Sequence, residues 1–163
     1  MKYDQNNITN DSGVTLGGIC SVRFAPVEYF QFIREPSLIT GSITTAVSFK
    51  PSKDWHDLEG IISSLDFEEK QAAADGGLYY NQQIRGTINK DDLERNITLH
   101  AMGYKDFLVL YTGRNGSVKL VGTLDSALSF TSALSTNKSA KDSEKFDFAF
   151  FGEAAERAPH YDV

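Results

Sequence analysis

Three histidines, one cysteine and a short run of carboxylates are the residues of this 163-residue chain best equipped for chemistry. A metal site needs ligands at a spacing that brings them round one ion, but His56, His100 and His160 are far apart and none has a cysteine beside it. Glu68, Glu69 and Asp75 are closer together but lack the alternating oxygen ligands of a calcium loop, so they read as solvated charges. Cys20 lies in the apolar run Gly18-Ile19-Cys20-Ser21-Val22 and is expected to be a buried, inert thiol. The serines include no nucleophile elbow, and Gly17-Gly18 and Gly76-Gly77 lack the following helix that a phosphate-binding loop needs. Trp55-His56-Asp57 reads as a loop whose aromatic ring covers a sheet edge. No catalytic, cofactor-binding or metal-ligating residue is expected, and the chain does not read as an enzyme.

The balance of charge narrows the partners. A formal charge of −6 disfavours binding to nucleic-acid phosphate, which requires clustered Lys and Arg. No segment has the basic-then-apolar pattern of a secretion signal or the length to span a bilayer, so a soluble protein made in the cytoplasm is expected.

The elements that would position any site are mostly strands. Residues 1–14 are polar and read as a flexible arm, 15–153 as one domain and 154–163 as a C-terminal tail. A first strand is expected over 15–24. Alternation from Ile43 to Phe49 predicts a half-buried strand with Ile43, Thr45, Val47 and Phe49 on one face. A further strand over 61–71, a turn at Ala72-Ala73-Ala74-Asp75-Gly76-Gly77 and a strand over 78–89 make a long antiparallel pair.

One helix is expected over 91–102, with Leu93, Ile97 and Ala101 as its apolar stripe, Asn89 as cap and Gly103 as stop. Asp91, Asp92 and Glu94 read as stabilisers of its first turn. Asn115-Gly116 predicts a hairpin between strands at 107–111 and 117–121. Segments 127–134 and 145–151 form a last pair across a polar loop at 135–143. In the closing strand Phe146, Phe148 and Phe150 should share one face and line the core. The expected fold is mainly β: an antiparallel β-sandwich or flattened barrel with one flanking α-helix. The strand at 78–89 is the candidate for pairing with another subunit.

The order Phe67-Glu68-Glu69-Lys70-Gln71, Asp75-Gly76-Gly77-Leu78-Tyr79-Tyr80, Ile84-Arg85-Gly86-Thr87-Ile88, the helix, Phe107-Leu108-Val109-Leu110, Asn115-Gly116, Leu120-Val121-Gly122, Leu128-Ser129-Phe130 and Phe151-Gly152-Glu153 resembles tailed-bacteriophage tail-tube and neck proteins, most closely a group from phages of Bacteroidetes-type hosts. The resemblance covers 18–153. It implies a non-enzymatic virion subunit without cofactors, forming a ring, commonly of six copies, around a channel through which DNA passes without specific binding. Partners would be further copies and other tail or neck proteins, and no membrane. It places the subunit interface at Asp75, Gly76, Gly77, Leu78, Tyr79 and Tyr80, with contacts also from the 135–143 loop and the arm. The alternative is a monomeric ligand- or carbohydrate-binding module that stacks sugars on Trp55, Tyr79, Tyr80 and Tyr104.

Overall fold

The computed structural model describes residues 17–89, 93–135 and 145–163. Among them run strands β1 (Ile19–Pro26), β2 (Phe30–Phe32), β3 (Ser42–Ile43), β4 (Ser48–Phe49), β5 (His56–Leu58), β6 (Asp66–Ala74) and β7 (Gly77–Asn89). Helix α1 (Leu93–Met102) follows, then β8 (Asp106–Gly113), β9 (Val118–Val121), β10 (Leu128–Ser135), β11 (Lys145–Ala154) and β12 (His160–Tyr161). The expected mainly β fold with one helix is what forms: a curled, largely antiparallel sheet that makes a half-barrel.

Five consecutive apolar residues, Phe107-Leu108-Val109-Leu110-Tyr111, set its architecture. Side chains alternate along a strand, so such a run is stable only where both faces are covered. Phe107, Val109 and Tyr111 enter one cluster with Ile84, Phe130, Phe146, Phe148 and Phe150. Leu108 and Leu110 enter a second with Ala25, Phe30, Ile43 and Leu120. Both edges of β8 are used as well. β1 runs along one, and β10 at Phe107 and β9 from Val109 share the other. The sheet continues through β10, β11, β7 and β6, while β12 joins β9 to β3, and β2 and β4 form a separate small sheet.

Phe146, Phe148 and Phe150 do share the buried face of β11, all at most 4% exposed. They stand opposite Ile88, Gly86 and Ile84 of β7. The Asn115-Gly116 hairpin forms as well, with Gly116 at φ +84 and Asn115 Oδ1 accepting from the Ser117 backbone N–H at 3.1 Å. The expected β6–β7 pair runs in unbroken register from Asp66↔Arg85 to Ala74↔Gly77.

Other boundaries differ from the sequence reading. Residues 62–64 form a 3-10 turn, while Ala72, Ala73 and Ala74 extend β6, leaving only Asp75-Gly76 as the turn. The strand expected over 43–49 splits because Ile43 pairs with Tyr161 and Phe49 stacks on Phe30 in a different sheet. In α1 the expected stripe faces outward: Leu93 and Ile97 are exposed, and Leu99 and Met102 are buried in the core. Leu99 and Met102 enter the core cluster that also holds Phe130 and Phe146. Asp91 and Asp92 lie outside the described residues, as do 136–144, which hold nearly all of the expected loop, and the arm at 1–14. Among the described residues no helix is long and apolar enough to cross a membrane.

Gly86 is a tight point of the core. A Cβ there would stand 2.7 Å from Leu65 Cδ2 and 3.0 Å from the Phe148 ring, which is itself held by Phe130 and Phe150. Leu65 can shift its end, whereas the Phe148 ring has nowhere to go. Gly86→Val should therefore cost about 1–3 kcal/mol through overpacking, read as a lower urea midpoint at unchanged slope; an unchanged midpoint would show that this contact tolerates side-chain volume.

Candidate functional site

The residues expected at a subunit interface form one continuous arm. β7 pairs with β11 only as far as Tyr80↔Ala154, whereas its pairing with β6 continues to Ala74↔Gly77, so the hairpin runs on alone as a two-stranded extension. Asp75 and Gly76 turn the chain, and Gly77 takes φ +117, a conformation that favours glycine. Leu78 is 57% exposed, and nothing lies within 4 Å of a Cβ built on Gly76 or Gly77. Tyr79 is half-buried, and Tyr80 lies under the Arg157 guanidinium at 4.9 Å. All six candidate residues are thus at the tip and first stretch of the arm.

The strand expected to pair with another subunit is a different matter. β7 is not an edge, since β11 and β6 occupy its two sides. Among the described residues the open edge beside β7 belongs to β6, and its length comes from the three alanines that the sequence assigned to a turn.

At the base of the arm sits a polar cluster that sequence reasoning missed. The Glu69 side chain is only 7% exposed. It accepts hydrogen bonds from the buried Gln82 amide at 3.0 Å, the Arg157 guanidinium at 3.0 Å and the Ala158 backbone N–H at 2.7 Å. Gln82 also donates to the Glu156 carbonyl. The segment after Ala154 is therefore strapped to the hairpin on one side, while β12 pairs with β3 and β9 on the other and Ala158 enters the core. Glu69 and Arg157 are 88 positions apart, and no local pattern signals the pairing.

Burial next to this cluster affects one acid. Tyr111, inside the half-barrel against Phe67, is pushed up to about 12, first by burial and then by the negative charge of Glu69. On the surface, the Lys105 hydrogen bond and charge hold the Glu28 carboxyl below its usual range and raise Lys105 in return.

The remaining chemical candidates do not converge. Glu68 pairs with Lys70 at 3.2 Å, Glu69 is committed to the strap and Asp75 is in the turn. His56 belongs to a strand rather than a loop and packs beside Phe24 and Tyr29, while His100 meets Tyr104 and His160 lies in β12. Among the described residues no group of three or more His, Cys, Asp or Glu could hold a metal ion. Trp55 does cover a cluster, edge-on to Phe30 and Phe49. Of the four aromatic residues Trp55, Tyr79, Tyr80 and Tyr104, Trp55 meets Phe30, Tyr80 meets Arg157 and Tyr104 meets His100.

Cys20 is exposed rather than buried. The register between β1 and β8 shifts from Ile19↔Gly113 to Ser21↔Thr112, leaving Cys20 as the extra residue of a bulge. Alternation breaks there, so Ile19 and Val22 point inward and Cys20 does not. No family model, curated protein or solved structure matches this chain.

Removing the Glu69 carboxylate by Glu69→Ala leaves the Ala158 N–H without its acceptor and the Gln82 amide with only the longer contact to the Glu156 carbonyl. The expected loss is about 1–3 kcal/mol, with faster hydrogen exchange at 155–161; unchanged exchange there would show that the strap does not depend on Glu69. For Tyr111, the folded-state value lies above the unfolded value near 10. Its neutral form therefore supports folding fully below about pH 10, and that support is lost as pH rises toward 12. Absorbance titration should reveal a late tyrosine step near pH 12 that Tyr111→Phe removes.

Proposed function

We propose that this chain is a non-enzymatic structural subunit of a phage virion, assembling with copies of itself into a ring or tube of the tail or neck. In this role it encloses a channel through which DNA passes without specific binding, and it contacts other tail or neck proteins above and below. The observation that carries the reading is the open half-barrel whose end strand, β6, runs on into a hairpin arm standing clear of the sheet. A monomeric domain gains nothing from a two-stranded extension tipped by Gly76, Gly77 and an exposed Leu78, and isolated hairpins are only marginally stable in water. Contact with a neighbour supplies the missing burial. The acidic balance of the chain suits a conduit, because a wall that attracted phosphate would slow the DNA it conveys. The order of segments that resembles tail-tube and neck proteins supports the same reading.

Light scattering behind a sizing column, with negative-stain images of each peak, tests it. The expected result is rings or tubes whose fraction grows with protein concentration; a monomer at every concentration, alone and with the other proteins of its virion, would falsify the proposal. Gly76 provides the finer test, because it lacks the positive φ of Gly77 and a side chain there enters open space. Gly76→Trp should leave the unfolding free energy within about 0.5 kcal/mol of wild type and abolish ring formation. Normal rings from this variant would exclude the tip from the contact.

A further inference from the structure

We infer that the free edge of β6 is a self-complementary pairing site for the β6 strand of a second copy, in one register fixed by Glu68 and Lys70. The inference rests on the reading that the chain self-assembles and adds a particular surface and geometry to it.

An end strand with unpaired N–H and C=O groups invites another strand, and folded proteins usually guard such an edge with proline, a bulge or free lysines. β6 lacks these three, and its inward-pointing charge, Glu69, is paired with Arg157 at 3.0 Å. It contains no proline, its pairing with β7 shows no register shift, and its single lysine, Lys70, is engaged by Glu68 at 3.2 Å. The small side chains of Ala72, Ala73 and Ala74 leave the backbone approachable. Among the described residues the other open edges are shorter, since β5 has three residues, β3 has two and β10 has six beyond its pairing with β8, against nine in β6. The side of β7 beyond Arg85 is closed as well: the Ile61 N–H donates to the Thr87 carbonyl at 2.8 Å, and Ser64 Oγ accepts from the Thr87 N–H at 2.8 Å. The open edge of greatest length that could cover β6 is therefore that of another β6.

Two identical strands paired antiparallel are related by a two-fold axis, and each residue meets the partner residue on the same face. Glu68 and Lys70 both lie on the outer face of β6, opposite the side on which Phe67 enters the core. In one register Glu68 stands opposite the partner's Lys70, and the symmetry makes this pair twice. A slip of two residues sets Lys70 against the partner's Lys70 in one direction and Glu68 against the partner's Glu68 in the other. Like charges directly opposite are destabilising, so the outer face selects the first register. On the inner face that register brings Glu69 to the partner's Glu69, each already carrying its own Arg157 guanidinium at 3.0 Å. Pairing over 66–72 leaves the hairpin tip free for a separate ring contact.

Glu68→Cys and Lys70→Cys, each in a Cys20→Ser background because Cys20 is itself exposed, test the register. Both sites are on the surface, where loss of an ion pair costs the fold little. Mixing the two variants under mild oxidation should give a disulfide dimer that neither variant gives alone. A dimer from either variant alone would overturn the register. Absence of any cross-link overturns the contact, and light scattering on the same samples then separates the two failures: large particles leave self-assembly standing, and monomers remove both readings. As a second measure, Lys70→Glu should weaken self-association about tenfold or more, and adding Glu68→Lys should restore it. Equal association by all three proteins would overturn the proposal.

Discussion

Burial of both faces of β8 is the constraint on which the rest of the molecule depends. Leu108 and Val109 are fully buried, yet they point in opposite directions. Each face must therefore have its own cover, and the two covers are built from different parts of the chain. The phenylalanines of β10 and β11 and the aliphatic residues of β7 serve one face. The other is covered by Phe30, Ile43 and Leu120, with Phe49 and Trp55 packed against them. With β1, β9 and β10 hydrogen-bonded along its edges, β8 also satisfies its backbone groups away from water.

Fixing β8 at the centre decides where the sheet must end. Strands added through β10, β11 and β7 curl away from it until β6 has no further neighbour. The chain guards the rest of that side locally, by hydrogen bonds from 61–64 to Thr87. The C-terminal segment, anchored by Glu69 and by β12, covers the space between the hairpin and β9. Among the described residues the longest edge left without a strand partner is that of β6, with the arm beyond it.

Much of this was legible in the sequence where neighbours along the chain decide the outcome. The alternation of Phe146, Phe148 and Phe150, the Asn115-Gly116 turn and the glycine-tipped hairpin at 75–77 each depend on a few adjacent residues. Less legible were features that turn on rotation or register. The Leu93, Ile97 and Ala101 stripe has the spacing of a buried face, yet it is Leu99 and Met102 that enter the core. Cys20 sits in an apolar run, yet one extra residue in β1 puts it outside. Strand β7 has the length of an edge strand open to pairing, but only the sheet order reveals that both its sides are filled.

By itself the sequence determined the strand-rich class, the helix and the phenylalanine face, because side-chain alternation and turn chemistry act over a few residues. Tertiary structure alone decided that Glu69 holds a segment 88 positions away, that β12 closes the sheet beside β9 and that β6 carries an open edge. These outcomes depend on which distant segments meet. Such meetings are set by burial summed over the whole chain, and no stretch of neighbouring residues encodes them.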